Sequence, residues 1–139
     1  MRIAVDAMGG DAAPAEIVKG AVAAARSYTD HEIILVGDQG RIQSELTACG
    51  ATLGNISVVH ASQVVDMNES ATVAVRKKVD SSITRGVKLV AEKAADAVVS
   101  AGNTGATVAA SSLFLRTLEH VKRPRSEERR VGKECRSRW

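Results

Sequence analysis

The chain has 139 residues, of which 45% are hydrophobic, 25% charged and only 2% aromatic, with a formal net charge of +3. The final stretch, RSEERRVGKECRSRW, holds six of the 19 Lys and Arg and three of the 16 Asp and Glu, which leaves thirteen of each in residues 1–124. A formally neutral body gives no charge-based case for nucleic acid or an anionic membrane as partner. Cys49 and Cys135 are too few for a disulfide framework or a cysteine metal cluster, and no apolar run reaches the ~18 residues of a membrane span.

The tail from Arg125 has no apolar periodicity, carries Trp139 and follows Pro124 abruptly. It resembles the in-frame translation of sequencing-adapter DNA, so we set it apart from the fold. Residues 1–124 have the length of one domain. Their core must be aliphatic, since Tyr28 and Phe114 are the only aromatics they hold. No basic segment followed by an apolar one opens the chain, and the expectation is a cytoplasmic protein.

In chain order, a strand over residues 2–6 runs into IAVDAMGGD, a double-glycine turn, with Pro14 in the first turn of a helix over 14–28. A second strand, 32–37, meets Asp38, which either caps the helix over 39–49 or contacts a ribose, capping being the commoner role. A third strand, 56–60, leads to Asp66, Asn68 and Glu69, an acidic loop whose spacing does not match a calcium loop. The helical region over 70–93 breaks at Asp80, Ser81 and Ser82. There Lys77, Lys78 and two serines stand beside a helix start. They form either a phosphate-holding cluster or the solvated basic end of a helix, and the two readings stand level.

The fourth strand, 96–100, empties into SAGNTGA and a helix over 104–118. Glycines let the backbone approach a ligand, and the first N–H groups of a helix favour an anion. A turn in which Asn only caps is the plain reading of the same residues, and spacing alone does not separate them. Neither glycine loop is a P-loop or GxGxxG. His31, His60 and His120 stand singly, and none is assigned a catalytic role.

Alternation of strands and helices predicts right-handed crossovers and a doubly wound, mostly parallel sheet. In the commonest order, 3-2-1-4, the first and fourth strands adjoin where the winding reverses. Ligands in such sheets sit outside the carboxyl ends of the strands at that point. The loops there are DAMGGD and SAGNTG. EHVKRP after the last helix reads as the approach to another strand, and the chain as the N-terminal part of a larger enzyme.

The segments IAVDAMGGDAAP, EIILVGD, VVHASQVVDMNES, AVRKKVDSSITRGVKLV and DAVVSAGNTGA together resemble the N-terminal portion of the PlsX-type phosphate acyltransferases of bacterial phospholipid synthesis, from Met1 to about Pro124. Ala12 departs from a family that often has a larger or polar residue there. The resemblance implies a truncated Rossmann-like three-layer α/β/α sandwich, related to phosphotransacetylases and isopropylmalate-dehydrogenase-like enzymes. It implies transfer of a fatty acyl group from acyl carrier protein thioester to inorganic phosphate, giving an acyl phosphate, with no cofactor and no metal. It further implies a homodimer when full length, a downstream membrane acyltransferase as recipient, peripheral membrane association of the full-length protein, and an inactive fragment. Within that reaction Asn103 and Thr104 are the catalytic candidates. Gly9, Gly10, Asp11, Lys78, Ser81, Ser82, Ser100, Gly102 and Gly105 are the candidate phosphate-binding residues, with Asp6 and Asp11 expected to orient the glycine turn. An NAD-dependent dehydrogenase-like domain and a non-enzymatic scaffold are the alternatives, the first lacking its GxGxxG.

Overall fold

A computed structural model describes residues 1–51 and 54–121. The elements run β1 (Arg2–Asp6), α1 (Ala15–Ser27), β2 (Glu32–Gly37), α2 (Gln39–Ala48), β3 (Ile56–His60), α3 (Ala71–Lys77), α4 (Ser82–Ala91), β4 (Ala97–Val99) and α5 (Thr104–Phe114). All strand pairs are parallel and the order is β3-β2-β1-β4, so the doubly wound α/β arrangement expected from the alternation is present. Ile3 of β1 lies between Ile33 and Ala97, which makes β1 central and puts the reversal of winding between β1 and β4.

The alternation of β2 side chains divides the core. Ile33 and Leu35 face α1 and α2, packing with Val18, Ala21, Val22, Ala25, Ile42 and Leu46. Ile34 and Val36 face the other way, with Ala4, Ala61 and Ala95, and Leu89 and Val90 of α4 pack against them. A strand buried on both faces reads as the continuous run EIILVG, as parallel strands do. On α1 the buried residues Val18, Ala21, Val22 and Ala25 recur at helical spacing. A third cluster joins α3, α4 and α5 through Ala74, Val75, Ile83, Val87, Ala106 and Ala110. The small alanines on α5 let it approach its neighbours closely.

Several boundaries differ from the sequence expectation for local reasons. Pro14 stands at the N-cap of α1, before its first residue. Asp38 caps α2, accepting from the Arg41 N–H at 2.9 Å, which settles its role in favour of the cap. The 70–93 region is two helices, with the break falling at 78–81. α5 stops at Phe114, four residues short of the predicted end: Arg116 takes a left-handed φ of 64°, and Leu118 is 82% exposed, so nothing buried holds the helix further. No helix of the described residues is long and apolar enough to cross a membrane. The tail from Arg125 lies outside the described residues.

Candidate functional site at the carboxyl edge of the sheet

Because β1 and β4 are neighbours, the two glycine turns that follow them meet. A Cβ built on Gly9 would lie 2.7 Å from the Gly102 nitrogen and 2.7 Å from Asp6 Oδ2, and one on Gly102 would lie 3.2 Å from the Gly9 Cα. A Cβ at Gly9 would force the Gly102 backbone to move, and one at Gly102 would press on its neighbours by a few tenths of an ångström. Gly10 takes φ +97°, the left-handed region where glycine has no Cβ penalty.

The turns are joined by Asp6, which is 1% exposed. Its Oδ1 accepts from the Met8 N–H at 3.1 Å and its Oδ2 from the Ser100 hydroxyl at 2.7 Å. Ser100 Oγ in turn accepts from the Gly102 N–H at 3.1 Å. One buried carboxylate thereby organises DAMGGD and, through one hydroxyl, SAGNTG. Asp6 orients the glycine turn as expected, whereas Asp11 is exposed.

Asn103 is 8% exposed and caps α5 through Oδ1, which accepts from the Ala106 N–H at 2.9 Å. Its Nδ2 is shared among the carbonyls of Asp66, Met67 and Glu69, each at 3.1 Å. A primary amide has two donor hydrogens, so the three carbonyls take up the whole donor capacity of the side chain, while Oδ1 accepts the cap bond. Thr104 and Gly105 follow it, both exposed, at the start of α5 where backbone N–H groups have no intrahelical acceptor. A Cβ on Gly105 would come within 3.0 Å of Ala71 Cβ, so its glycine also lets α3 and α5 close.

Within the Lys78–Ser82 cluster the two serines are buried, while Lys78 reaches the β3–α3 loop. Ser81 is 0% exposed and caps α4, donating to Thr84 Oγ1 at 2.9 Å, and Ser82 is 1% exposed with its N–H on the Gln63 carbonyl. Lys77 is exposed at the end of α3. Lys78 donates to the Val64 carbonyl at 2.7 Å and pairs with Glu69, whose carboxyl this ammonium holds below its usual range. The Ser62 hydroxyl and N–H, followed by the Arg85 guanidinium, hold the Asp80 carboxyl well below the usual carboxylate range.

A cavity of about 300 Å³ opens beside the glycine turns, lined by Met8, Gly10 and Asp11 on one side and by 64–68 on the other. This second wall, the β3–α3 loop, escaped sequence reasoning. Its acidic composition pointed only to a failed calcium match. The usable signal was the buried asparagine at a helix start, whose amide must find partners somewhere.

Two consequences can be measured. Gly9→Ala forces its Cβ onto the Gly102 nitrogen, and the expected loss of stability is about 2 kcal/mol in urea unfolding, as for other overpacked sites; an unchanged midpoint would deny the contact. The lowered Asp80 pKa contributes stability that is fully present above the ordinary carboxylate pKa and fades as pH falls below it. The stability gap between the parent and Asp80→Asn is therefore widest at neutral pH and narrows below about pH 4. A gap that stays constant with pH would contradict the lowered Asp80 pKa and the Ser62 and Arg85 contacts that cause it.

The sequence is similar to those of known proteins. A family model described as "Fatty acid synthesis protein" matches residues 1–126. The chain is 52% identical over 124 residues to the phosphate acyltransferases of Trichlorobacter lovleyi and Desulforamulus reducens, and 47% identical over 124 residues to that of Halothermothrix orenii. Each alignment covers 89% of this chain and 36% or 37% of the relative, so the chain spans little more than a third of the length of these relatives. The PlsX-type resemblance and the family match agree, and the chain belongs to the fatty acid synthesis protein family.

Proposed function

We propose that residues 1–124 are the N-terminal part of a phosphate acyltransferase that moves a fatty acyl group from an acyl carrier protein thioester to inorganic phosphate. The observation that carries this reading is the pair of glycine turns pressed together at the carboxyl edge, in a chain about half identical to phosphate acyltransferases. In the reaction a phosphate oxygen attacks the thioester carbonyl carbon. A C–O bond forms, the C–S bond breaks, and the departing thiolate takes up a proton. Phosphate is already anionic near neutral pH, so no protein nucleophile is required. The protein aligns two anionic partners and offsets the charge that develops on the carbonyl oxygen.

In this proposal the exposed Thr104 and Gly105 supply backbone N–H donors, and Thr104 its hydroxyl. Asn103 shapes the site through its cap and its hold on the 66–69 loop, since its own amide is occupied. Gly9, Gly10 and Gly102 permit the close approach of backbone, and Ser100 holds Gly102 to Asp6. Ser81 and Ser82 contribute by anchoring α4. Asp11 and Asp66 line the cavity on this side, and Lys78 is paired with Glu69. The reading also carries a homodimer, no cofactor, delivery of acyl phosphate to a membrane acyltransferase, and a cytoplasmic protein with peripheral membrane association when full length. The 125–139 segment is extraneous in it.

The test joins residues 1–121 to the remainder of the Halothermothrix orenii phosphate acyltransferase and follows acyl phosphate formation from acyl carrier protein thioester and phosphate. Turnover is expected, and Thr104→Val, which removes one preorganised donor, is expected to lower it by roughly 10²-fold. A correctly folded chimera that binds both substrates without forming product, or a Thr104→Val variant of full activity, would overturn the assignment.

A further inference from the structure

Helix α3 is seven residues long, and Ser70 at its N-cap makes no side-chain cap bond. A helix of that length is marginal in water without outside support. An ion pair bridges its two ends: Glu69 stands just before the N-cap, Lys78 is the C-cap, and the ammonium meets the carboxylate. The carboxylate also accepts from the Asp66 N–H at 3.3 Å, and the ammonium also donates to the Val64 carbonyl at 2.7 Å. Residues 64–78 are thereby closed into a ring.

The ring bears on the start of α5 at two places. The Glu69 carbonyl accepts from Asn103 Nδ2 at 3.1 Å, and Asn103 caps α5. Ala71, the first residue of α3, stands against Gly105, where an added Cβ would come within 3.0 Å of the Ala71 Cβ, and beyond it Ala74 and Val75 pack with Ala106 and Ala110. Glu69 thus holds Lys78 with its side chain and Asn103 with its backbone.

We propose that Glu69 and Lys78 are positioning residues for the start of α5: the pair clamps α3 and the 64–69 loop, which keeps Asn103, Thr104 and Gly105 in place, and Lys78 does not itself contact phosphate. The identity of the anion rests on the acyl-transfer reading above; the clamp does not. The two possible roles of Lys78 have opposite signs. An ammonium that was a phosphate ligand restrained by Glu69 would bind phosphate more tightly once freed, whereas loss of a clamp loosens the donors that phosphate meets.

The experiment titrates inorganic phosphate into the whole 139-residue chain, reading the Thr104 and Gly105 backbone amides together with hydrogen exchange of the Asn103 side-chain amide. Glu69→Gln and Lys78→Met are each expected to speed that exchange and to weaken phosphate about fivefold, the lower end of coupling between sites. The double variant is expected to lose no more than either alone, as for two groups that act as one unit. Lys78→Arg, which keeps the pair, is expected to match the parent in both readouts. The Glu69 and Lys78 side chains are 34% and 30% exposed, so neither substitution opens the core. Tighter phosphate in Glu69→Gln, or a further loss when Lys78→Met is added to it, would overturn the inference by making Lys78 a ligand. So would unchanged Asn103 exchange in both single variants. A parent chain whose Thr104 and Gly105 amides ignore phosphate would count against the acyl-transfer reading, and the Asn103 exchange then decides the clamp by itself.

Discussion

Where the Gly9 backbone meets the Gly102 backbone, two strands that are 94 residues apart in sequence are brought to one point, and Asp6 holds them there through Ser100. The contact requires glycine on both sides, because a Cβ on either would fall within about 3 Å of the other turn or of the carboxylate. It also requires that β1 and β4 be neighbours, which in turn requires the winding to reverse between them. A buried carboxylate is costly unless its oxygens are satisfied. Here an N–H and a hydroxyl satisfy them, and the same hydroxyl receives the Gly102 N–H. The bond therefore spans the two loops and sets the backbone of the second one.

A second tie extends this point outward. Asn103 begins α5 and reaches three carbonyls of the β3–α3 loop, so the helix start, the acidic loop and the glycine turns share one hydrogen-bonded frame. Lys78 fastens the other end of the same loop. A segment that would otherwise be a surface connection becomes a fixed wall. Preorganisation of this kind keeps hydrogen-bonding groups fixed in place rather than free to reorient. Polar groups at the edge are spent on building the frame, which leaves the start of α5 and the cavity rim exposed.

Much of this was legible in the sequence. The runs RIAVD and EIILVG read as parallel strands, and the commonest doubly wound order, which the sheet has, puts DAMGGD beside SAGNTG. Asp38 and the break at 78–81 were visible as capping chemistry, which is local. What escaped was non-local. Ser81 and Ser82 read in sequence as either part of a phosphate-holding cluster or part of a solvated helix end, and they are buried, with the Gln63 segment pairing with theirs. Asn103 reads in sequence as either a cap or a donor to ligand; it caps α5, and its N–H hydrogens go to carbonyls 34 to 37 residues away. Satisfaction of buried polar groups is a property of the packed molecule, and no spacing rule foretells which partner is found.

The central claim is that the Asp6 to Ser100 bond clamps the two glycine turns. A double-mutant cycle tests it most directly: Asp6→Asn, Ser100→Ala and the double variant, each compared with the parent chain by urea unfolding. The account predicts that the second substitution costs much less once the first is made, with a coupling of about 1 kcal/mol or more for a buried charge-assisted hydrogen bond. Additive losses, with no coupling between the two positions, would contradict it.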